Sequence, residues 1–292
     1  MSDSGPRVAS LLPSATEIVQ ALGLESTLVA VSHFCDFPGR VETLPRATST
    51  RVPSGAAGRE IDQFVRDCLR RGESLYRLDE ALLARLRPDV IVTQSLCEVC
   101  AVGQGEVERA MPLLRPHPSV ITLEPRTLEE MLDGILIVAV ALRQPMMGVT
   151  LVRELRRRVE AVHARTARRR QRPRVAFLEW ADPPISGGHW NPELVELAGG
   201  LDGLGVPGRR CRTLEWEEIL EWRPDVMVLA CCGFDEARGR EELELLRQRP
   251  GFDALPCARS GRVHVMDGVR LFSRPGPSLV DGLERLAAVL GD

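Results

Sequence analysis

"LRPDVIVTQSLCEVC" (86–100) and "WRPDVMVLACCGF" (222–234) are two versions of one phrase. Each sets Arg-Pro-Asp-Val after an amphipathic run, "LDEALLARL" or "EWEEILEW", then a β-branched stretch, then a loop bearing cysteines. Proline cannot extend a helix and the residue before it avoids helical geometry, so the phrase reads as a helix stop followed by a strand. A second pair lies upstream: "RVASLLPSATEIVQALGL" (7–24) and "RVAFLEWADPPISGGHWNPELVELAGG" (174–200). Both open with Arg-Val-Ala and a short apolar run, pass through a polar loop with proline, and enter an amphipathic helix. Ile18, Val19 and Leu22 supply one apolar face, and Leu194, Val195 and Leu197 the other. Glycine ends each helix, at Gly23 and at Gly199 with Gly200. A looser third pair is "PSVITLEP" (118–125) with "GRVHVMDG" (261–268).

Two copies of strand, helix, strand, helix, strand predict an α/β fold of two lobes, each a parallel sheet covered by helices. The N-terminal lobe is expected over 7–125 and the C-terminal lobe over 173–290. Between them, 126–172 read as one helical pattern from about Thr127 to Arg170, with a break at Pro145. This connector would leave a ligand cleft between the lobes.

Composition narrows the function. The 292 residues are 44% hydrophobic and 27% charged, a globular balance, with net charge −3. No basic stripe interleaves with aromatics, so a nucleic-acid partner is not expected. All 38 basic residues are arginine, which excludes Schiff-base, pyridoxal and P-loop lysine chemistry. "GILIVAVALRQPMMGVTLV" is interrupted by Arg143, Gln144 and Pro145 and reads as buried helix, so the chain is not expected to embed in a membrane. "MSDSGPRVASLLPS" shows no basic segment leading into an apolar core, so a cytosolic location is expected.

In open parallel sheets ligands sit beyond the carboxyl ends of the strands. Here the chemistry-bearing loops follow strands: "LLPSATE", "SHFCDFP", "QSLCEVC", "EWADPPISGGHW", "CCGF" and "FSRPGPS". Ser14 and Thr16 stand at a helix start, where free backbone N–H groups suit a carboxylate or amide; the same residues also serve as an N-cap. Glu179, Trp180, His189 and Trp190 crowd one loop in a chain only 4% aromatic, and flat walls of that kind suit a large planar ligand. Ser273 and Arg274 offer polar contacts on a stiff loop, Arg274 toward an acidic group of a ligand or of Glu179. His33, Cys35, Cys97, Cys100 and Cys231 are candidate metal ligands. A single C-x-x-C is a weak signal, and the same thiols also read as packed small residues.

These loops, with "RVASLLPSATEIVQALGL", "LRPDVIVTQ", "GHWNPELVELAGG" and "RPDVMVL", resemble the periplasmic-binding-protein-like family of the vitamin B12 and iron-chelate type, the helical-backbone metal receptors. The narrower set "SHFCDFP", "QSLCEVCAV", "LEPRTLEE", "FLEWADPP", "GGHW" and "FSRPGPSLVDGLE" is similar to its cobalamin-binding branch. The resemblance covers roughly 7–290 and implies two α/β lobes, a connecting helix and a ligand in the cleft. The expected function is a cytosolic binding protein for cobalamin, a related corrinoid or another metal chelate. Trp180 and Trp190 would face the macrocycle, His189 or a thiol the metal, and Glu179, Ser273 and Arg274 the rim. In transporter-linked members the resemblance also implies delivery to an ABC permease, which the lack of an export signal argues against here. The alternative is a metal-dependent enzyme or redox protein using iron, an iron–sulfur cluster or zinc at Cys35, Cys97 and Cys100.

Overall fold

The computed structural model describes residues 5–36, 39–53, 55–95 and 104–291. Its contacts divide the chain into two compact units, Met1–Pro125 with Leu132–Arg153, and Arg126–Met131 with Glu154–Asp292.

The first unit contains β1 (Val8–Ser10), α1 (Pro13–Ala21), β2 (Leu28–Val31), α2 (Arg40–Thr43), β3 (Thr48–Thr50), α3 (Gly58–Arg70), β4 (Tyr76–Leu78), α4 (Glu80–Leu86), β5 (Val90–Gln94), α5 (Gln104–Ala110) and β6 (Ser119–Leu123). Strands β2-β1-β5-β6 form a wholly parallel sheet. β3 and β4 make a separate antiparallel pair that the repeat did not announce. β1 is buried along its whole length, as a strand covered on both faces must be.

The chain then forms α6 (Leu128–Ala141) and α7 (Pro145–Thr166). The long helical pattern of the sequence is therefore two helices. The turn comes at Arg143, which adopts φ +61, and the Gln144 N–H closes back on the Ala139 carbonyl at 2.8 Å. Gly148 makes the turn compact, since a Cβ there would lie 2.5 Å from that of Ala139. Among the described residues no helix is long and apolar enough to cross a membrane.

The second unit contains β7 (Arg174–Ala181), β8 (Pro184–Ser186), α8 (Asn191–Leu197), β9 (Leu201–Asp202), α9 (Trp216–Trp222), β10 (Val226–Leu229), α10 (Glu236–Arg247), α11 (Pro256–Arg259), β11 (Val263–Val265), α12 (Gly268–Leu271) and α13 (Ser278–Gly291). β9, β7, β10 and β11 are parallel neighbours in that order, with β8 added antiparallel to β7. Exchanging β9-β7-β10-β11 for β2-β1-β5-β6 maps one unit onto the other.

The repeated phrases are the corners of this plan. Arg87 and Arg223 end α4 and α9 in left-handed geometry, at φ +47 and +49, and the following proline bars further helix. Asp89 and Asp225 then hold the first rung of the sheet. Their N–H groups donate to the Arg7 and Arg174 carbonyls at 2.8 Å each, and their carboxylates accept from the N–H groups of Arg7 and Arg174 at 2.8 and 2.9 Å. The register that follows is the same, with Val8 opposite Val90 and Val175 opposite Val226.

Candidate functional site

In the second unit β7 delivers Glu179 and Trp180 to the carboxyl end of the sheet, and β8 returns the chain to Gly187–Trp190 at the head of α8. Glu179 Oε1 accepts from the Gly188 N–H at 2.8 Å and from Asn191 Nδ2 at 2.7 Å. Burial pushes the Glu179 carboxyl above the usual glutamate range, against the opposing pull of the bonds from Gly188, Asn191 and the Cys211 side chain. Gly188 is required at its place because a Cβ would fall 2.3 Å from the Cys211 nitrogen. The next residue, His189, is held at φ +53, a conformation that suits glycine. Its N–H donates to the Arg209 carbonyl at 2.6 Å and its carbonyl accepts from the Gly208 N–H at 2.8 Å. Burial, then Arg210 and Arg126, hold the imidazole below the usual histidine pKa, and its buried Nε2 has no hydrogen-bond partner among the described residues.

The two indoles differ. Trp190 is 5% exposed and donates its N–H to the Phe272 carbonyl at 2.8 Å, so it fastens the His189 loop to the end of α12. Trp180 lies against Phe234 at 5.0 Å between ring centroids, and its Nε1 is buried without a partner. Asn191 gives its amide protons to Glu179 and to Phe272, which fixes its orientation and leaves Oδ1 unmatched. Among the described residues none pairs with these three polar atoms, which lie between the end of β7 and the head of α8, a concentration that calls for an explanation. Ser273 is tied through its N–H to the Gly268 carbonyl at 2.8 Å, and Arg274 is half-buried beside it. Cys231 is 1% exposed, and burial pushes its thiol up, beyond reach of the thiolate form that ligates metals best.

In the first unit the strand-end chemistry is built from hydroxyls. Thr16 Oγ1 donates to Ser10 Oγ at 2.8 Å and lies 3.1 Å from Cys35 Sγ, while buried Ser14 Oγ has no partner among the described residues. His33 follows β2. Its N–H donates to Thr48 Oγ1 at 3.0 Å, its Nδ1 lies 2.7 Å from the same oxygen, and Thr48 Oγ1 donates to Ser32 Oγ at 3.1 Å. Burial, then Arg46, lower the His33 pKa. Its ring packs 4.1 Å from Phe34 and 5.6 Å from Tyr76, and its buried Nε2 has no hydrogen-bond partner among the described residues. Cys97 and Cys100 lie outside the described residues. Among the described residues no group of three or more histidines, cysteines, aspartates or glutamates is placed to hold a metal ion.

Sequence reasoning missed Asn191, Cys211, Phe272 and Thr48. Asn191 was open to detection, since it follows Trp190 directly at the helix start. The Phe272 carbonyl and the Thr48 hydroxyl come from distant segments and carry no local signal. An open hollow of about 470 Å³ is lined by Arg46, Thr48, Ser49, Arg77, Leu78 and the head of α4.

Comparison with known proteins places these features. The vitamin B12-binding protein of Vibrio cholerae is 26% identical over 225 residues, covering 76% of this chain and 69% of that protein. Among solved structures, the periplasmic heme-binding protein from Roseiflexus sp. RS-1 in apo form superposes with a TM-score of 0.73 at 22% identity, covering 98% of this chain and 97% of that one. The periplasmic vitamin B12 binding protein of Vibrio cholerae gives 0.71 at 21% identity, covering 99% and 97%. At these identities the structures establish the fold. Both proteins are described as periplasmic, so the expectation of a cytosolic location gains no support. The family model for periplasmic binding proteins matches residues 8–269, and the chain belongs to that family.

Proposed function

We propose, from that membership, that this protein binds a tetrapyrrole-type metal chelate, and that a corrinoid such as cobalamin suits it better than heme. The relatives support the ligand class, since the named proteins bind vitamin B12 or heme. The observation that carries the choice is the set of unmatched atoms at the end of β7. The Trp180 N–H can only donate, whereas Asn191 Oδ1 can only accept. A rim of primary amides, as on a corrinoid, provides acceptors and donors together. A rim of carboxylates alone satisfies the Trp180 N–H and leaves the Asn191 acceptor without hydrogen. Buried polar groups left unpaired cost about 1–3 kcal/mol each, enough to set a preference.

In this reading Trp180 meets the ligand through its ring edge and N–H, His189 and Asn191 take rim amide protons, and Ser273 and Arg274 take rim carbonyls. Trp190 and Glu179 hold the loop that carries them. Titration of the protein with aquocobalamin and with hemin, followed by absorption and by co-elution, tests this. The expected result is corrinoid binding at micromolar concentration or below, at least tenfold tighter than hemin, and weakened at least tenfold by Trp180→Ala. Absence of any spectral change or co-elution with either compound at micromolar concentration would overturn it.

A further inference from the structure

We propose that the outward face of the α6–α7 corner is an interface between two copies of this chain, packed antiparallel about a two-fold axis. A surface helix ordinarily keeps its apolar stripe for the core and shows polar residues to solvent. α6 departs from this. Ile135, Val138 and Leu142 lie on its buried side. The opposite side holds Ile137 at 52% exposure and Val140 at 63%. Met146, Met147 and Val149 continue the apolar surface onto the start of α7, at 71%, 40% and 47%. Among the described residues these are five of the eleven large hydrophobic side chains left exposed, gathered within one short stretch of sequence. Between Asp133 and Arg153 the sequence carries a single charge, Arg143. In a chain that is 27% charged, such a face is built to be covered.

The charges at the two ends of the stripe select the occupant. Asp133 stands one turn before Ile137 on the same side of α6, and Arg143 lies just beyond the end of that helix. Neither side chain has an ion pair or a hydrogen bond among the described residues. At the rise of an α-helix the two are about 15 Å apart along the axis, with Ile137 and Val140 between them. A closed two-fold contact presents the same patch from both partners. Laid antiparallel about the midpoint of Ile137 and Val140, Asp133 of each copy comes opposite Arg143 of the other, and aliphatic side chains meet in the centre. A partner carrying one sign of charge would satisfy one end and meet like charge at the other. The area agrees with a second copy. The five side chains offer roughly 500 Å² of apolar surface, the size of patches that mark interaction sites. Two copies together bury about 1,000 Å², the lower bound for a specific interface, so the dimer is weak and concentration-dependent.

Sedimentation velocity of the full chain, from low micromolar to sub-millimolar concentration, tests this. Wild type should pass from monomer to dimer across that range. Val140→Arg and, separately, Ile137→Asp should raise the dissociation constant at least tenfold. Both positions are more than half exposed, so the fold, verified by circular dichroism, should be kept. Asp133→Arg and Arg143→Asp should each weaken association several-fold, because each sets like charges against one another, and the double variant should restore it. A chain that stays monomeric at sub-millimolar concentration overturns the proposal, as does a dimer indifferent to Val140→Arg. A double exchange as weak as the single ones overturns the antiparallel arrangement. Flotation with vesicles of phosphatidylcholine and phosphatidylglycerol tests a lipid surface as the occupant. A monomeric chain that binds them and is released by Val140→Arg gives the face to the membrane and overturns the pairing of copies.

Discussion

Ser10 and Phe177 occupy the same rung of the two sheets. Each stands two residues after the valine that faces the Arg-Pro-Asp-Val strand, Val8 in one case and Val175 in the other. Both are completely buried. Around Ser10 the first unit has a small polar interior in which Thr16, Cys35 and the Leu12 carbonyl share hydrogen bonds. Around Phe177 the second unit has an aromatic one, with Phe272 edge-on at 5.1 Å and Gly187 pressed so close that a Cβ would lie 3.0 Å from the ring. The lesson is that one topology tolerates two opposite fillings of its strand ends. The hydroxyl filling ties Thr16 of α1 to β1 and to Cys35; the aromatic filling props up the loop that carries His189.

The contrast can be broken most forcefully at the ring. Phe177→Ala should cost about 3–5 kcal/mol by urea denaturation, the range for emptying a buried phenyl site, while Ser10→Ala should cost about 1 kcal/mol, that of one hydrogen bond. Equal losses would mean that the two fillings carry equal weight. A smaller difference belongs to the corners. Asp225 receives the Arg174 guanidinium at 3.1 and 3.2 Å as well as its N–H, whereas Asp89 receives only the Arg7 N–H among the contacts described. The pair at Asp225 is over a third exposed and therefore screened, so Asp225→Asn should cost about 1 kcal/mol near neutral pH and Asp89→Asn about half that. The side-chain bonds from Arg174 are the main reason the Asp225 carboxyl sits below the usual range. Its contribution is therefore present above the unfolded aspartate pKa and is lost as pH falls through the folded one, so the Asp225→Asn deficit should vanish in acid.

The subtlest contrast is a slope. Glu179 has a raised folded pKa, chiefly from burial. Its stabilising share is complete below the unfolded glutamate pKa and is lost as pH rises through the folded value. Glu179→Gln keeps an acceptor for Gly188 and Asn191 and does not titrate. Denaturation measured from pH 4 to 8 should show the variant gaining on wild type as pH rises; parallel curves would remove Glu179 as a buried titrating group.

Topology was legible because it is written locally. Arg-Pro-Asp-Val encodes a helix stop, a carboxylate clamp and a strand start within four residues, and its recurrence gives the two-lobed α/β plan with parallel sheets. The antiparallel β3–β4 pair was not legible, since three-residue strands separated by α3 leave no periodic trace. Among candidate residues, Glu179, Trp180 and His189 announced themselves by composition. The distinction between Trp180 and Trp190 did not, because it depends on whether a carbonyl from residue 272 reaches the indole. Nor did the partner of the His33 ring, a hydroxyl fifteen residues away.

The left-handed turn at residue 189 has an evolutionary edge. At such a turn a mutation to glycine is the easy one, relaxing the backbone and sparing the fold. A lineage that abandoned its small-molecule cargo would drift toward Gly-Gly-Gly-Trp there and become sturdier for it. On the proposed role of His189, imidazole and robustness pull this loop in opposite directions, and resistance to heat is then a poor guide to whether a relative still does the job.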